Sequence, residues 1–141
     1  MRGQPVTNRT AFALVAAALV ANLAGGPALA SPQALIAAYQ AAGAGPFDAA
    51  AGERAWSAEH RPPGADSARS CATCHGNDLT KAGRHATTGK VIEPLGVSVN
   101  PQRLADPEKT ERWFTRNCRW TLGRECTPQE KGDFVRLIQS R

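Results

Sequence analysis

Cys71-Ala72-Thr73-Cys74-His75 is the stretch on which the reading of this chain turns. Its pattern is C-x-x-C-H, and the spacing has a physical reason. One short turn sets two sulfurs against the two vinyl groups of a haem, and the next residue projects its imidazole onto the iron. Two rival readings share part of the pattern. A thioredoxin-like dithiol expects a strand before it and a parallel sheet around it. A structural zinc site wants four ligands, which Cys118, Cys126 and the remaining histidines would have to supply. The rest of the chain decides among them.

Outward from the motif the chain is loop and helix. Residues 60–70 contain Pro62-Pro63-Gly64 and read as a surface loop. Residues 76–101 are mostly loop, punctuated by Gly83, Gly89, Pro94, Gly96 and Pro101. Ser31-Pro32 is a cap and first helical residue, with Leu35, Ile36 and Tyr39 on one face of a short helix ending near Gly43. Asp48 caps a second helix to about Glu59, in which Gly52 and Trp56 share a face. These two are expected where this helix crosses the last one, opposite Phe134 and Leu137. Asp106-Pro107 opens a third helix, carrying Trp113, Phe114 and Asn117, that stops before Gly123. Thr127-Pro128-Gln129-Glu130 is a capping box that opens the last helix, with Phe134, Leu137 and Ile138 on one stripe. No alternating strand pattern is present. The expected fold is all-α and loop-rich, packed around one covalent haem. A small domain with so much loop needs a staple, and a covalent haem is one.

The N-terminus reads as an export signal. Arg2 and Arg9 precede an uncharged Ala, Leu and Val run, 11–26, and then Ala28-Leu29-Ala30, the small residues that a signal peptidase reads. The run is short, contains Asn22 and breaks at Gly25-Gly26-Pro27, so a cleaved signal over residues 1–30 is preferred to a membrane anchor. Cleavage would leave 111 of the 141 residues. The 17 basic residues less Arg2 and Arg9 leave 15 against 12 acidic ones, a net charge of +3. These charges are scattered and aromatics are few, so a nucleic-acid partner is not expected. A small positive excess suits docking to acidic partners.

A haem iron needs something opposite His75, and electron-carrying cytochromes c often use methionine. The one methionine here is Met1, in the signal. The position is therefore open, or taken by a second His, a Lys, or a weak ligand such as Asn. His60 and His85 are histidine candidates, and both also read as solvated loop residues. Asn100 precedes Pro101 and also reads as the start of a turn. Asn117 shares a helical face with Trp113, where a haem pocket needs apolar walls and one polar tip. A satisfied core or surface Asn is the plainer reading of it.

The residues also carry a resemblance. Cys71-Ala72-Thr73-Cys74-His75-Gly76, Gly83-Arg84, Thr88-Gly89-Lys90, Pro94-Leu95, Ser98, Pro101, Trp113-Phe114, Arg116-Asn117-Cys118 and Gly123-Arg124-Glu125-Cys126-Thr127 resemble the sphaeroides haem protein family. These are small bacterial cytochromes c with a class I-like fold and an asparagine iron ligand. The likeness spans about residues 47–141, and implies a cytochrome c domain there, with residues 31–46 as an N-terminal helix and linker. It implies that Asn117 is the distal ligand and that Cys118 and Cys126 form a disulfide beside it. Such a bridge closes a nine-residue loop and is worth roughly 2.5 kcal/mol by loop entropy. Pro94 resembles the class I proline whose carbonyl accepts the second ring N–H of the proximal histidine. Arg84, Lys90 and Arg103 are equal candidates to pair with haem propionates, or plain loop charges.

Two functions follow. The first is a periplasmic haem protein in which Asn117 leaves on reduction, so that O2 or NO binds, with conversion of the bound gas as a further step. The resemblance implies a dihaem cytochrome c and a membrane cytochrome b as electron donors. The second is a simple electron carrier with His or Lys as sixth ligand. A haem-free dithiol protein is a weaker third. No acid, base or nucleophile constellation is present, so any turnover would belong to the iron.

Overall fold

The computed structural model describes Met1, Gly3 and residues 32–141. Apart from Met1 and Gly3, the expected signal segment lies outside the described residues, as does Ser31. The elements are α1 Pro32–Ala41, α2 Ala49–Ser57, α3 Ala72–His75, β1 Gly83–Arg84, β2 Val91–Ile92, α4 Pro107–Leu122 and α5 Pro128–Gln139. None of the described helices is long and apolar enough to cross a membrane.

The longer helices begin where their caps require. The Asp48 carboxylate accepts from Ala50 N at 2.9 Å and Ala51 N at 3.3 Å. Asp106 accepts from Lys109 N at 2.9 Å, with Pro107 in the first turn, where a missing N–H costs nothing. Thr127 and Glu130 close the expected box: Glu130 N donates to Thr127 Oγ1 at 3.2 Å, and Thr127 N donates to Glu130 Oε2 at 2.8 Å. Each cap stabilises its helix by about 1 kcal/mol. Gly123 ends α4 in the left-handed region, at φ +73°.

The centre of the core is α5, whose Phe134, Val135, Leu137 and Ile138 are buried. Helix α2 crosses it, and α1 packs beside it through Leu35, Ile36 and Tyr39. The crossing of α2 and α5 is as close as backbones allow. A Cβ on Gly52 would lie 2.4 Å from the Asp133 carbonyl oxygen and 3.1 Å from Leu137 Cβ. Trp56 meets Phe134 edge-on, with ring centroids 5.9 Å apart. This is the juncture expected from Gly52, Trp56, Phe134 and Leu137.

Helix α4 meets this core differently. Its first half is fastened by one polar cluster: Tyr39 OH donates to Glu111, and Lys131 Nζ donates to the same carboxylate at 2.6 Å. Burial, together with that hydrogen bond, raises the Tyr39 pKa and keeps the phenol protonated. The other end is held by the Cys118–Cys126 disulfide and by Pro62, which packs on Gly123. Between these points α4 stands over a cavity.

The strand pair differs from expectation. Gly83–Arg84 pairs antiparallel with Val91–Ile92. Two residues per strand are too few for an alternating pattern to register in a sequence. The pair forms because its turn is pinned locally, with His85 N donating to Lys90 O at 2.8 Å and Gly89 N to His85 O at 2.9 Å.

Gly52→Ala should destabilise the haem-loaded protein by about 2 kcal/mol, the usual scale of overpacking where backbone has to move. Urea denaturation followed by far-UV dichroism measures it. A midpoint equal to that of the parent would show that the α2–α5 crossing is not tight.

Candidate haem site

The turn that carries C-x-x-C-H, the expected attachment turn, is rigid for local reasons. Ser70 N donates to Thr73 Oγ1 at 2.9 Å, which caps the turn from inside. His75 N reaches Cys71 O at 3.2 Å, Gly76 N reaches Ala72 O at 2.8 Å, and Gly76 leaves at φ +72°. Trp56 holds the far end. Its indole N–H donates to Gly76 O at 2.9 Å, and its ring lies 5.4 Å from the His75 ring. The position of Trp56 in the sequence points to helix packing alone, and the bond to Gly76 gives it a second role. The hairpin presses on the same turn: a Cβ on Gly83 would fall 2.3 Å from Cys74 O and 2.8 Å from His75 Cα. Gly83 is glycine because backbone meets backbone there.

Between this turn and α4 lies a cavity of about 450 Å³. Cys71, Cys74 and His75 line it from the turn, and Trp113, Phe114 and Asn117 from α4. Cys71 and Cys74 are the free cysteines of the described chain. Burial pushes the Cys71 thiol up to about 12. That is the opposite of a reactive dithiol, whose attacking cysteine is driven down. Burial, then the nearby Arg103 charge, lowers His75 to about 4, so its imidazole is neutral and keeps a lone pair for a metal. Among the described residues, no cluster of three or more His, Cys, Asp and Glu could hold a metal by itself. The zinc reading thus loses its ligands. A flat apolar group with its own metal, bonded through two thiols and met by one imidazole, fits the residues present.

The other candidates separate clearly. His85 lines the cavity, but from the hairpin beside the attachment turn, where Ala86 N lies 3.4 Å from Cys74 Sγ. Its Nδ1 accepts from Thr87 N at 3.3 Å and Thr88 N at 3.2 Å. His60 is not on the cavity wall, and its backbone pairs with Arg69. Arg84 turns to Gly89 O at 2.8 Å, and neither it nor Lys90 reaches the cavity, whereas Arg103 does. Cys118 and Cys126 are joined, with Cα atoms 5.5 Å apart. Between the Pro94 carbonyl and His75 the structure shows no hydrogen bond. That oxygen accepts from Asn100 Nδ2 at 2.9 Å and from Arg103 Nη2 at 2.9 Å. Asn100 therefore braces the Pro94 loop.

The family model described as a domain of unknown function (DUF1924) matches residues 42–138. The cytochrome c-type protein SHP of Cereibacter sphaeroides is 44% identical over 135 residues, covering 94% of this chain and 99% of that protein. The chain belongs to the sphaeroides haem protein family. The solved structure of oxidized SHP, described as an oxygen-binding cytochrome c, superposes with a TM-score of 0.71 at 41% identity, over 79% of this chain and 97% of that one. Cytochrome c'' of Methylophilus methylotrophus has the same fold, at 30% identity over 78% of this chain and 93% of that one, with a TM-score of 0.67. Its solution structure is described as giving insight into the structural basis of haem-ligand detachment. The family fixes the fold as that of cytochrome c and the cofactor as one covalent haem c.

In this member of the family, the turn after the disulfide carries its own electrostatic lock. Arg124 grips Glu130 with both amino groups, at 2.8 Å each, while Thr127 N donates to the same carboxylate. These bonds, Arg124 foremost, lower the Glu130 pKa from 4.5 to about 2. A folded pKa below the unfolded one means that the carboxylate contributes stability in full above about 4.5 and loses it as pH falls towards 2. Glu130→Gln should therefore lower the melting temperature at pH 7, and the gap should narrow as the pH is brought from 4.5 to 3. Thermal melts across that range check this, and a constant gap would contradict it.

Proposed function

We propose that this cytochrome is exported to the periplasm, loses residues 1–30, and binds a diatomic gas, O2 or NO, at its haem iron. Cys71 and Cys74 hold the haem, and His75 is the proximal ligand. Asn117 occupies the opposite position in the ferric protein and leaves it on reduction. The haem supplies an iron that exchanges one electron and has a coordination position open to a gas.

One observation carries this reading. Asn117 lies on the α4 wall of the cavity with Trp113 and Phe114, and its amide is a neutral metal donor on that wall, in a chain whose one methionine is Met1. An amide oxygen is a hard, neutral and weak donor, better suited to ferric than to ferrous iron. Nothing strong competes for it or restrains it. Its oxygen has one long contact among the described residues, with Arg116 Nε at 3.5 Å. The backbone beneath it is firm, because the next residue, Cys118, is tied to Cys126. The side chain can therefore swing while α4 stays in place. The oxygen binding stated for SHP and the ligand detachment stated for cytochrome c'' support the same reading. Electrons would come from a redox partner, with a dihaem cytochrome c and a membrane cytochrome b as the donors the family suggests. Any conversion of the gas would rest on the iron, because no acid, base or nucleophile constellation accompanies it.

A second reading, a plain electron carrier with His85 as sixth ligand, rests on His85 lining the cavity. Its position on the hairpin beside the attachment turn argues against it.

Asn117→Ala separates the two. The ferric visible spectrum should change, since a ligand is lost. The ferrous spectrum and the ferrous affinity for NO or CO should stay within about threefold of wild type, because the amide has already left and the competent fraction is already near one. A ferric spectrum unaltered by the substitution, or a ferrous iron that refuses both gases, would overturn the proposal.

A further inference from the structure

Arg103 is a cation with no carboxylate in salt-bridge contact among the described residues; Glu93 is the nearby acid and acts on it only through space. Its guanidinium is half-buried on the wall of the haem cavity and forms no salt bridge among the described residues. Yet it is held in place more firmly than most surface arginines. Nε and Nη2 donate to Pro94 O at 3.3 and 2.9 Å, and Nη2 also reaches Glu93 O at 3.1 Å. Its plane lies over Trp113, 4.9 Å from the ring centroid. Nη1 carries no hydrogen bond among the described residues. A partly desolvated charge that is oriented, but unpaired, is costly, and proteins keep such a charge where an anion meets it. A haem brings two carboxylates, and a guanidinium is the group best shaped to take one.

We propose that Arg103 anchors a haem carboxylate, held ready for it by the Pro94 and Glu93 carbonyls and the Trp113 ring. Arg84 and Lys90, equal to it by sequence, stay outside the cavity. Two consequences follow. The pair keeps the carboxylate ionised, because an adjacent cation favours the charged form. It also offsets the carboxylate's negative charge, which would otherwise favour ferric iron. The other charged or titratable groups around the guanidinium are Glu93, the cavity residues His75 and His85, Lys109, which also lies over the Trp113 ring, and Arg116 on α4.

The test is the reduction potential of the haem-loaded protein from pH 5 to 8, in a His85→Gln background that removes the second imidazole from the cavity wall. With Arg103 present the potential should be flat. Arg103→Gln should shift the ferric:ferrous ratio at fixed poise about tenfold towards ferric, ~59 mV for one electron. It should also bring a carboxylate titration into the window. Arg103→Lys, which keeps the charge, should stay within about threefold of the parent and flat. The proposal fails if Arg103→Gln leaves both potential and pH profile unchanged, or if Gln and Lys shift the potential equally. Equal shifts would mean that Arg103 only braces the Pro94 loop. Should the glutamine variant not load haem, Arg103→Lys decides: a flat profile within threefold supports the pair, and a tenfold shift refutes it.

Discussion

The structure depends on an apolar surface that the polypeptide does not cover by itself. Helices α1, α2 and α5 pack on one another, and Phe114 of α4 stacks on Phe134 of α5, but the rest of the α4 face that bears Trp113 looks onto a cavity of about 450 Å³. Leaving such a surface to water costs roughly 25 cal/mol per Å². A chain with so much loop has little other core to offset that cost. The covalent haem is thus a structural layer as well as a redox centre. Its cavity lies between the two places where α4 is fastened by polar or covalent bonds, the Tyr39–Glu111–Lys131 cluster and the disulfide.

That arrangement divides the site into a rigid half and a yielding half. On the His75 side, Trp56, Gly83 and the Ser70–Thr73 cap fix the backbone from three directions. On the α4 side the backbone is equally fixed, yet the Asn117 side chain has no firm partner. A weak ligand on a strong support can leave without unfolding its helix. This is the physical basis on which the gas-binding proposal stands. A strong ligand from a loose loop would behave in the opposite way, and His85 sits on the rigid side.

Arg103 adds an electrostatic element to this picture. It lowers the His75 pKa, donates to the Pro94 carbonyl and borders the cavity. A single guanidinium so placed borders the loop, the His75 imidazole and any anion that the cofactor brings. The Pro94 oxygen accepts from Asn100 and Arg103, both closer along the chain than His75.

Much of this was legible from residue order alone. Caps at Asp48, Asp106 and Thr127 act over three residues, so a sequence displays them, and the helices begin where they say. C-x-x-C-H is likewise a local motif, and Gly52 with Trp56 already marked a close crossing. The pairing of Cys118 with Cys126 was implied by the family resemblance rather than by spacing. What the tertiary structure alone decided is everything that depends on distance between segments far apart in the chain. It chose Arg103 over Arg84 and Lys90 at the cavity, set His85 beside the attachment turn, excluded His60, and gave Trp56 its bond to Gly76. Those outcomes turn on a few ångströms of approach between loops. No periodicity or spacing encodes them, because the loops owe their course to what they pack against.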